Sequence, residues 1–307
     1  MTSCKTLVLS LFISVFSINS QANELLLLGE EKIIKLLPNN QEKPFEASGV
    51  SLVKQKIMVV FDNRHDIAQI NKNLSHGKLI GSPDQNSEFE GIVYDQQKQL
   101  FYVIVESIKK GDENSSEMVT YNKKLQAINR QAINVSFKSR NKGFEGIAYQ
   151  YINDQLTLFL LCEGNQCKGG KKGKKPGKGR VLVFQLKDHI WQRIAKIKLP
   201  KTLNFKDFSG IDIQKNKIAI VSQASSALWV SEITSKFRKK KASWKWKIKQ
   251  GNVYSFPKKK GKTIYCNIEG VSWKNESTLV FVSDKKKKKQ AKRCKKKDQS
   301  VHLFRLF

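Results

Sequence analysis

The sequence predicts an all-β fold, and within that class a β-propeller of five four-stranded blades, with six blades as the alternative. Two observations carry this. A short glycine motif recurs along the chain, each copy opening a pair of apolar strands joined by a polar turn, and the segments between copies lack helical periodicity. The copies are Phe45-Glu46-Ala47-Ser48-Gly49-Val50, Phe89-Glu90-Gly91-Ile92, Phe144-Glu145-Gly146-Ile147, Phe208-Ser209-Gly210-Ile211 and Ile268-Glu269-Gly270-Val271.

Taken in order, the first element is not part of the mature fold. Lys5, the apolar run 7–18 and Ser20-Gln21-Ala22 read as a secretory signal over residues 1–22, which leaves a single domain over 23–307 in the periplasm or outside the cell. The run is short for a transmembrane helix and no other long apolar stretch follows, so no span is expected in the mature chain; an uncleaved anchor is the alternative. Residues 25–37 read as a strand that completes the last blade, because the final repeat, ending at 301–307, has only three strands of its own. Between these ends, each motif starts a first strand, and the second strands fall at 57–61, 100–105, 156–161, 218–221 and 279–282. Third and fourth strands follow, for example 180–186 and 191–199. Sheets of this pattern bury both faces against neighbouring blades. An open β-sandwich with chance Gly pairs is the competing architecture.

Composition sharpens the picture of the surface. Lys and Arg number 57 against 26 Asp and Glu, a formal charge of +31, and 39% of residues are apolar, enough for a sizeable core. About half of the basic residues lie in four windows, 168–180, 236–249, 258–262 and 285–297, which contain no Asp or Glu, and the remainder is nearly neutral. The basicity therefore belongs to Lys-rich loop insertions, which are either solvated loops or sites for an anionic partner. Candidate partners are a phosphorylated compound, an acidic polysaccharide or an anionic lipid surface; nucleic acid is not favoured. The candidate anion-binding residues are Lys171, Lys172, Lys285, Lys286 and Lys287. Trp244 and Trp246 could stack on bases or sugars, but alternation at two-residue spacing is more simply a strand with one buried face.

In a propeller the residues entering each first strand and those leaving each second strand share one face near the axis. The entrances are Glu46, Glu90, Glu145, Asp207 with Ser209, and Glu269; the exits are Asp62, Glu106, Glu163, Gln223 and Asp284. The expected surface is an acidic centre inside a basic rim, with the window 236–249 mainly on the opposite face and running into a fourth strand. Converging carboxylates need compensation, and clustered oxygens suit Ca²⁺. The competing reading is that each Glu hydrogen-bonds a neighbouring blade and fastens the ring. Four cysteines remain after the signal, with three pairings open; the propeller geometry favours Cys162 with Cys167 and Cys266 with Cys294. The sequence has no nucleophile elbow, zinc-protease motif, Walker A loop or dinucleotide fingerprint. Of the histidines, only His65 follows a second strand on the acidic face.

The strings Gly143-Phe144-Glu145-Gly146-Ile147-Ala148-Tyr149, Asp207-Phe208-Ser209-Gly210-Ile211, 221–229 and Asn267-Ile268-Glu269-Gly270-Val271-Ser272-Trp273 resemble the SdiA-regulated (YjiK-like) group of exported bacterial β-propellers. They are also similar to the esterase-like phytase propellers. The first resemblance implies an exported propeller of unsettled biochemical role with Ca²⁺ at the central face. The second implies metal-dependent attack on phosphate esters, with Glu90, Glu145, Glu269 and Asp284 as metal ligands and Lys285 holding substrate phosphate. Ser209 in place of Glu, and Glu46 three residues before its Gly, depart from a complete acidic set. The function expected is a binding module that holds an anionic ligand, with a metal-dependent phosphoesterase and a protein-interaction scaffold as alternatives.

Overall fold

The computed structural model describes residues 23–38, 44–81, 88–110, 113–138, 143–238, 240 and 243–307; the expected export signal at 1–22 lies outside them. β1 (Asn23–Glu24) and β2 (Leu26–Lys32) precede a one-turn helix, α1 (Ile33–Leu36). The first four-stranded meander is β3 (Ala47–Val53), β4 (Lys56–Phe61), β5 (Arg64–Asn71) and β6 (Gly77–Ile80). The next is β7 (Phe89–Asp95), β8 (Leu100–Lys110), β9 (Glu113–Tyr121) and β10 (Ala127–Phe137). It is followed by β11 (Phe144–Ile152), β12 (Gln155–Cys162), β13 (Arg180–Lys187) and β14 (Ile190–Lys198), with the short helix α2 (Gly170–Gly173) between β12 and β13. A single parallel pair, Ile133 with Trp191, joins β10 to β14 and merges these two meanders into one eight-stranded sheet.

β15 (Gly210–Gln214), β16 (Lys217–Ser222) and β17 (Ala227–Arg238) continue the ring. The far half of β17 pairs with β18 (Ser243–Ile248), while its near half pairs with β19 (Asn252–Ser255), and β1 adds to the free edge of β19 in parallel. A small hairpin, β20 (Lys258–Lys259) and β21 (Lys262–Thr263), leads to the last sheet of β22 (Ile268–Trp273), β23 (Thr278–Ser283) and β24 (Ser300–Arg305). β2 completes that sheet, antiparallel to β24. The chain is all-β, and its sheets are arranged as in a β-propeller.

The innermost strands touch in the cyclic order β3, β7, β11, β15, β22 and back to β3. The motif glycines allow that closeness. A Cβ on Gly49 would stand 2.6 Å from the Gly91 Cα, and one on Gly146 would stand 3.1 Å from the Gly210 Cα. The strands feeding the ring are apolar on both sides: β12 is buried from Leu156 to Cys162, as a sheet covered on both faces requires. Its hairpin turns at Asn153 and Asp154, both at positive φ, the backbone of a tight type I′ turn. The apolar core is divided among the gaps between successive sheets. Phe159 and Val181 meet Ile220 and Trp229 in one gap, and Val59 meets Val282 and Val301 in the gap that shuts the ring.

Two local expectations are corrected. The strand expected over 25–37 pairs only through Lys32; Ile33 and Leu36, one helical turn apart, then bury together in α1 against the first sheet. The window 236–249 is not a loop entering a fourth strand but an added hairpin of β17 and β18, and the fourth strand is β19, reached after Gly251 at φ +71°. Trp246 packs edge to face on Phe159, while Lys245 and Lys247 alternate outward, which is the half-buried strand that the spacing predicts.

Closure by β2 is reinforced ionically. The Lys32 Nζ reaches the Asp298 carboxylate at 2.7 Å, and the Tyr265 hydroxyl donates to Glu30 at 3.1 Å. Against burial, which acts to raise it, hydrogen bonds from His302 and Lys297 hold the Glu30 carboxyl down at about 2. Disulfides join Cys162 to Cys167 and Cys266 to Cys294. No helix among the described residues is long and apolar enough to cross a membrane.

The axis carries three voids in series. At one end is an acidic cavity of about 260 Å³, and at the other a bowl of about 820 Å³. Between them the motif glycines and the side chains of Val50, Ile92, Ile147, Ile211 and Val271 leave about 10 Å³, room for a single water at most.

Candidate functional site

The acidic cavity is built by one local irregularity repeated around the ring. In β7, Phe89 pairs with Val105 and Gly91 with Ile104, so Glu90 is an extra residue in the ladder; Glu145 and Glu269 occupy the same place in β11 and β22. A β-bulge turns its extra side chain out of the normal alternation, here onto the axis. The bulge in β3 falls on Ser48, not Glu46, and Ser209 stands at the corresponding place before β15. Both serines donate to the backbone of the next inner strand, Ser48 to Phe89 O and Ser209 to Ile268 O at 3.1 Å. Two positions of the ring are therefore fasteners.

The other carboxylates arrive at the ends of second strands. Asp62, Glu106, Glu163 and Asp284 line the cavity with Gln223, and the entrances Glu46, Glu90, Glu145, Asp207, Ser209 and Glu269 line it too, with Phe208 at its wall. Among the described residues, nine carboxylates thus face two lysines, Lys285 and Lys287. Both lysines were expected on the rim. They instead turn into the cavity, because the chain after β23 passes directly over the carboxylates. Lys285 pairs with Glu46, and Lys287 lies 3.8 Å from Glu269 and donates to the Gln223 amide oxygen at 2.9 Å. Lys286 donates its backbone N–H to Asp298, while Lys171 and Lys172 stand exposed on α2. The loop carrying α2 is pinned by buried Asn165, which donates to Gly173 O at 3.0 Å and accepts from Lys178 N at 2.9 Å. His65 lies outside the cavity lining and packs edge to face on Phe89.

Two overlapping groups bring carboxylate oxygens within 4.8 Å of one another: Glu90 with Glu145 and Glu269, and Glu106 with Glu145 and Glu163. Glu145 belongs to both. Asp284, expected beside the first group, lies in neither, and Glu106 and Glu163 carry a ligand-like arrangement that the sequence motif alone does not single out. Some of these groups also fasten the ring, since Glu106 accepts the Gly143 N–H at 3.0 Å and Asp207 accepts from Ser222 and Ala224.

The crowding raises several carboxyls of the ring. Burial, then the charges of Glu145, Glu106 and Glu269, push Glu90 well above the usual carboxylate range. Burial and then Asp284 do the same to Glu269. Asp62 is pushed up to about 7 by burial and by Glu46 and Asp284, and Asp284 to about 6 by burial. Lys287 is raised by Glu269 and Asp284 although desolvation acts the other way. At neutral pH so many converging carboxyl groups are accommodated by keeping protons or by drawing in cations. All of its acidic donors are hard oxygens without thiolate or imidazole, a set that suits Ca²⁺ better than zinc.

No protein-family model matches the chain, and no curated protein sequence matches it either. Solved structures do resemble it in shape. The GH43_1 enzyme of Xanthomonas citri, complexed with xylotriose, superposes with a TM-score of 0.51 at 6% identity, over 89% of this chain and 89% of that one. Glutaminyl cyclase of Myxococcus xanthus gives 0.46 at 7% identity, over 93% and 98%. The PQQ-bound aldose sugar dehydrogenase of Streptomyces coelicolor gives 0.46 at 9% identity, over 93% and 98%. These are β-propeller enzymes, and the likeness to the GH43_1 enzyme, at 6% identity, concerns the fold alone.

Proposed function

We propose that this chain is an exported five-bladed β-propeller that binds divalent cations of the Ca²⁺ class in its axial acidic cavity, and that the cations and nearby lysines together hold an anionic ligand. The observation that carries this reading is the pair of carboxylate groups sharing Glu145, the oxygens of each group lying within 4.8 Å of one another, beside two lysines among the described residues. Glu90, Glu145 and Glu269 would take one cation, and Glu106, Glu145 and Glu163 a second. The five-blade count rests on the cyclic contacts of the inner strands, and export on the sequence signal with the two disulfides. A place beside the SdiA-regulated group rests on the quoted motifs.

Calorimetric titration of the chelator-treated protein with Ca²⁺, with thermal unfolding in parallel, tests the reading. Saturable binding that raises the melting temperature and weakens at least about tenfold in Glu145→Gln is expected, that factor being about 1.4 kcal/mol. Absence of binding at millimolar Ca²⁺ would leave the Glu ring as a set of blade fasteners and sink the reading. One feature favours the phosphoesterase as a second reading: a carboxylate common to two cation sites is the arrangement in which bridging ions orient water against a phosphate ester. Cation-dependent hydrolysis of a phosphomonoester, lost in Glu145→Gln, would support it; binding without turnover would exclude it.

A further inference from the structure

The bowl at the other end of the axis is a separate chemical environment. It is formed where the inner strands leave the ring, by Tyr94 of β7, Tyr149 of β11 and Trp273 of β22, and by residues of the adjoining turns. Its volume, about 820 Å³, lies within the range of small-molecule sites, roughly 300–1,000 Å³. The lining is not an apolar groove. Four glutamines supply uncharged donors and acceptors, the half-buried rings of Tyr94 and Tyr149 supply flat surface over the buried Trp273, and Lys54, Lys56 and Lys123 supply positive charge.

The one carboxylate in the wall among the described residues does not answer those lysines. Asp212 is consumed in joining neighbouring sheets: it accepts from the backbone N–H of Trp273 at 2.7 Å, from the Ser272 hydroxyl at 3.1 Å and from Ile213 N at 2.7 Å. Lys56 donates to Asn71. Lys54 and Lys123 are exposed and have no acidic partner among the described residues. The bowl therefore offers an excess of cations beside aromatic and amide groups, while the far cavity offers the reverse.

We propose that this bowl binds a short acidic oligosaccharide, its rings against Tyr94 and Tyr149, its hydroxyls on the glutamine amides and its carboxylates on Lys54 and Lys123. Amphipathic aromatic rings suit the mixed polar and apolar faces of a sugar, and amides match its many hydroxyls. A nucleic-acid strand would be expected to meet a cationic track following successive phosphates. Three lysines around a closed bowl do not form one. This site is independent of the cation reading, since the constriction separates the two voids.

The test is calorimetric titration with trigalacturonate, with maltotriose as neutral analogue and a hexathymidylate as polyanion. The wild-type protein is compared with Tyr149→Ala, the double variant Lys54→Ala/Lys123→Ala, and Lys171→Ala/Lys172→Ala on the opposite loop. Expected is a dissociation constant for trigalacturonate on the order of 0.01–1 mM, weakened about tenfold by each bowl variant, unchanged in the α2 variant, and at least about tenfold weaker for maltotriose. The double lysine variant alters exposed side chains only, so it remains informative if Tyr149→Ala does not fold. The proposal is overturned by no binding up to about 10 mM, by binding that only the α2 variant weakens, or by tighter binding of hexathymidylate that the bowl variants abolish. Glu145→Gln leaves sugar binding intact whether or not it alters cation binding, so the two readings fail separately.

Discussion

Asp62 is the residue at which the strain of the acidic cavity is most readily tested. Its carboxyl titrates at about 7 in the folded chain against 3.8 for the free group, chiefly because it is buried. A carboxyl raised in this way keeps its proton in the folded state, so its contribution to stability is full at low pH and is lost as pH rises from about 4 through 7. At about 1.4 kcal/mol per pH unit, the displacement corresponds to about 4 kcal/mol, a ceiling that any bound cation lowers. Asp62→Asn removes the titration while keeping the shape. Melting temperatures of the two proteins in chelator should therefore diverge with pH, the variant gaining on the wild type by roughly 6–8 °C between pH 4 and pH 8 at about 2 °C per kcal/mol. His302 acts in the opposite sense. Its burial lowers its pKa, so its contribution is present above 6.5 and is lost on acidification, but it is common to both proteins and cancels in the difference. Calcium at pH 8 should shrink the gap. A difference in melting temperature that stays constant from pH 4 to 8 would refute the claim that burial and neighbouring acids strain this carboxyl.

Two further outcomes follow from the same geometry. Gly49→Ala should lower stability by about 2–3 kcal/mol in chemical denaturation, because its Cβ meets the Gly91 backbone at 2.6 Å, whereas Gly261→Ala, with open space around it, should cost no more than about 1 kcal/mol. Lys287→Met removes a cation 3.8 Å from Glu269 and should tighten Ca²⁺ binding severalfold in calorimetry; weaker binding would mean that Lys287 organises the site instead of competing for it.

The ring was legible in the sequence because its physical demand is simple. A Gly is needed where inner strands meet, a β-branched residue follows it into the apolar plug, and a residue pushed out by the bulge precedes it; Phe-Glu-Gly-Ile states all three in four letters. The first copy misled for the same reason. Glu46 draws the eye as the acid, but the bulge falls on Ser48, and only the pairing of Ala47 with Phe61 and Gly49 with Val60 reveals the register. Lys285 and Lys287 lie in a run of five lysines with no internal pattern, so which of them turn inward depends on where β23 ends over the cavity, a tertiary fact. The alternation in Ser243–Ile248 correctly marked a strand, but periodicity cannot say which strand is its partner, and β19 is only four residues long. The repeated motif ties Glu90, Glu145 and Glu269 together although they lie up to 179 positions apart, whereas the approach of Glu106 and Glu163 to Glu145 leaves no trace in local spacing.

The plug formed by Val50, Ile92, Ile147, Ile211 and Val271 has a kinetic consequence. With the axis shut, an ion reaching the carboxylates has to arrive and depart by the same mouth, beside the half-exposed ammonium groups of Lys285 and Lys287. Those charges repel an approaching dication, and added salt shortens the range of that repulsion to about 8–10 Å at physiological strength. That repulsion is local, since the nine carboxylates outweigh two lysines that already stand beside Glu46 and Glu269, so the mouth still steers a dication inward and added salt slows its arrival as well as weakening its final attachment.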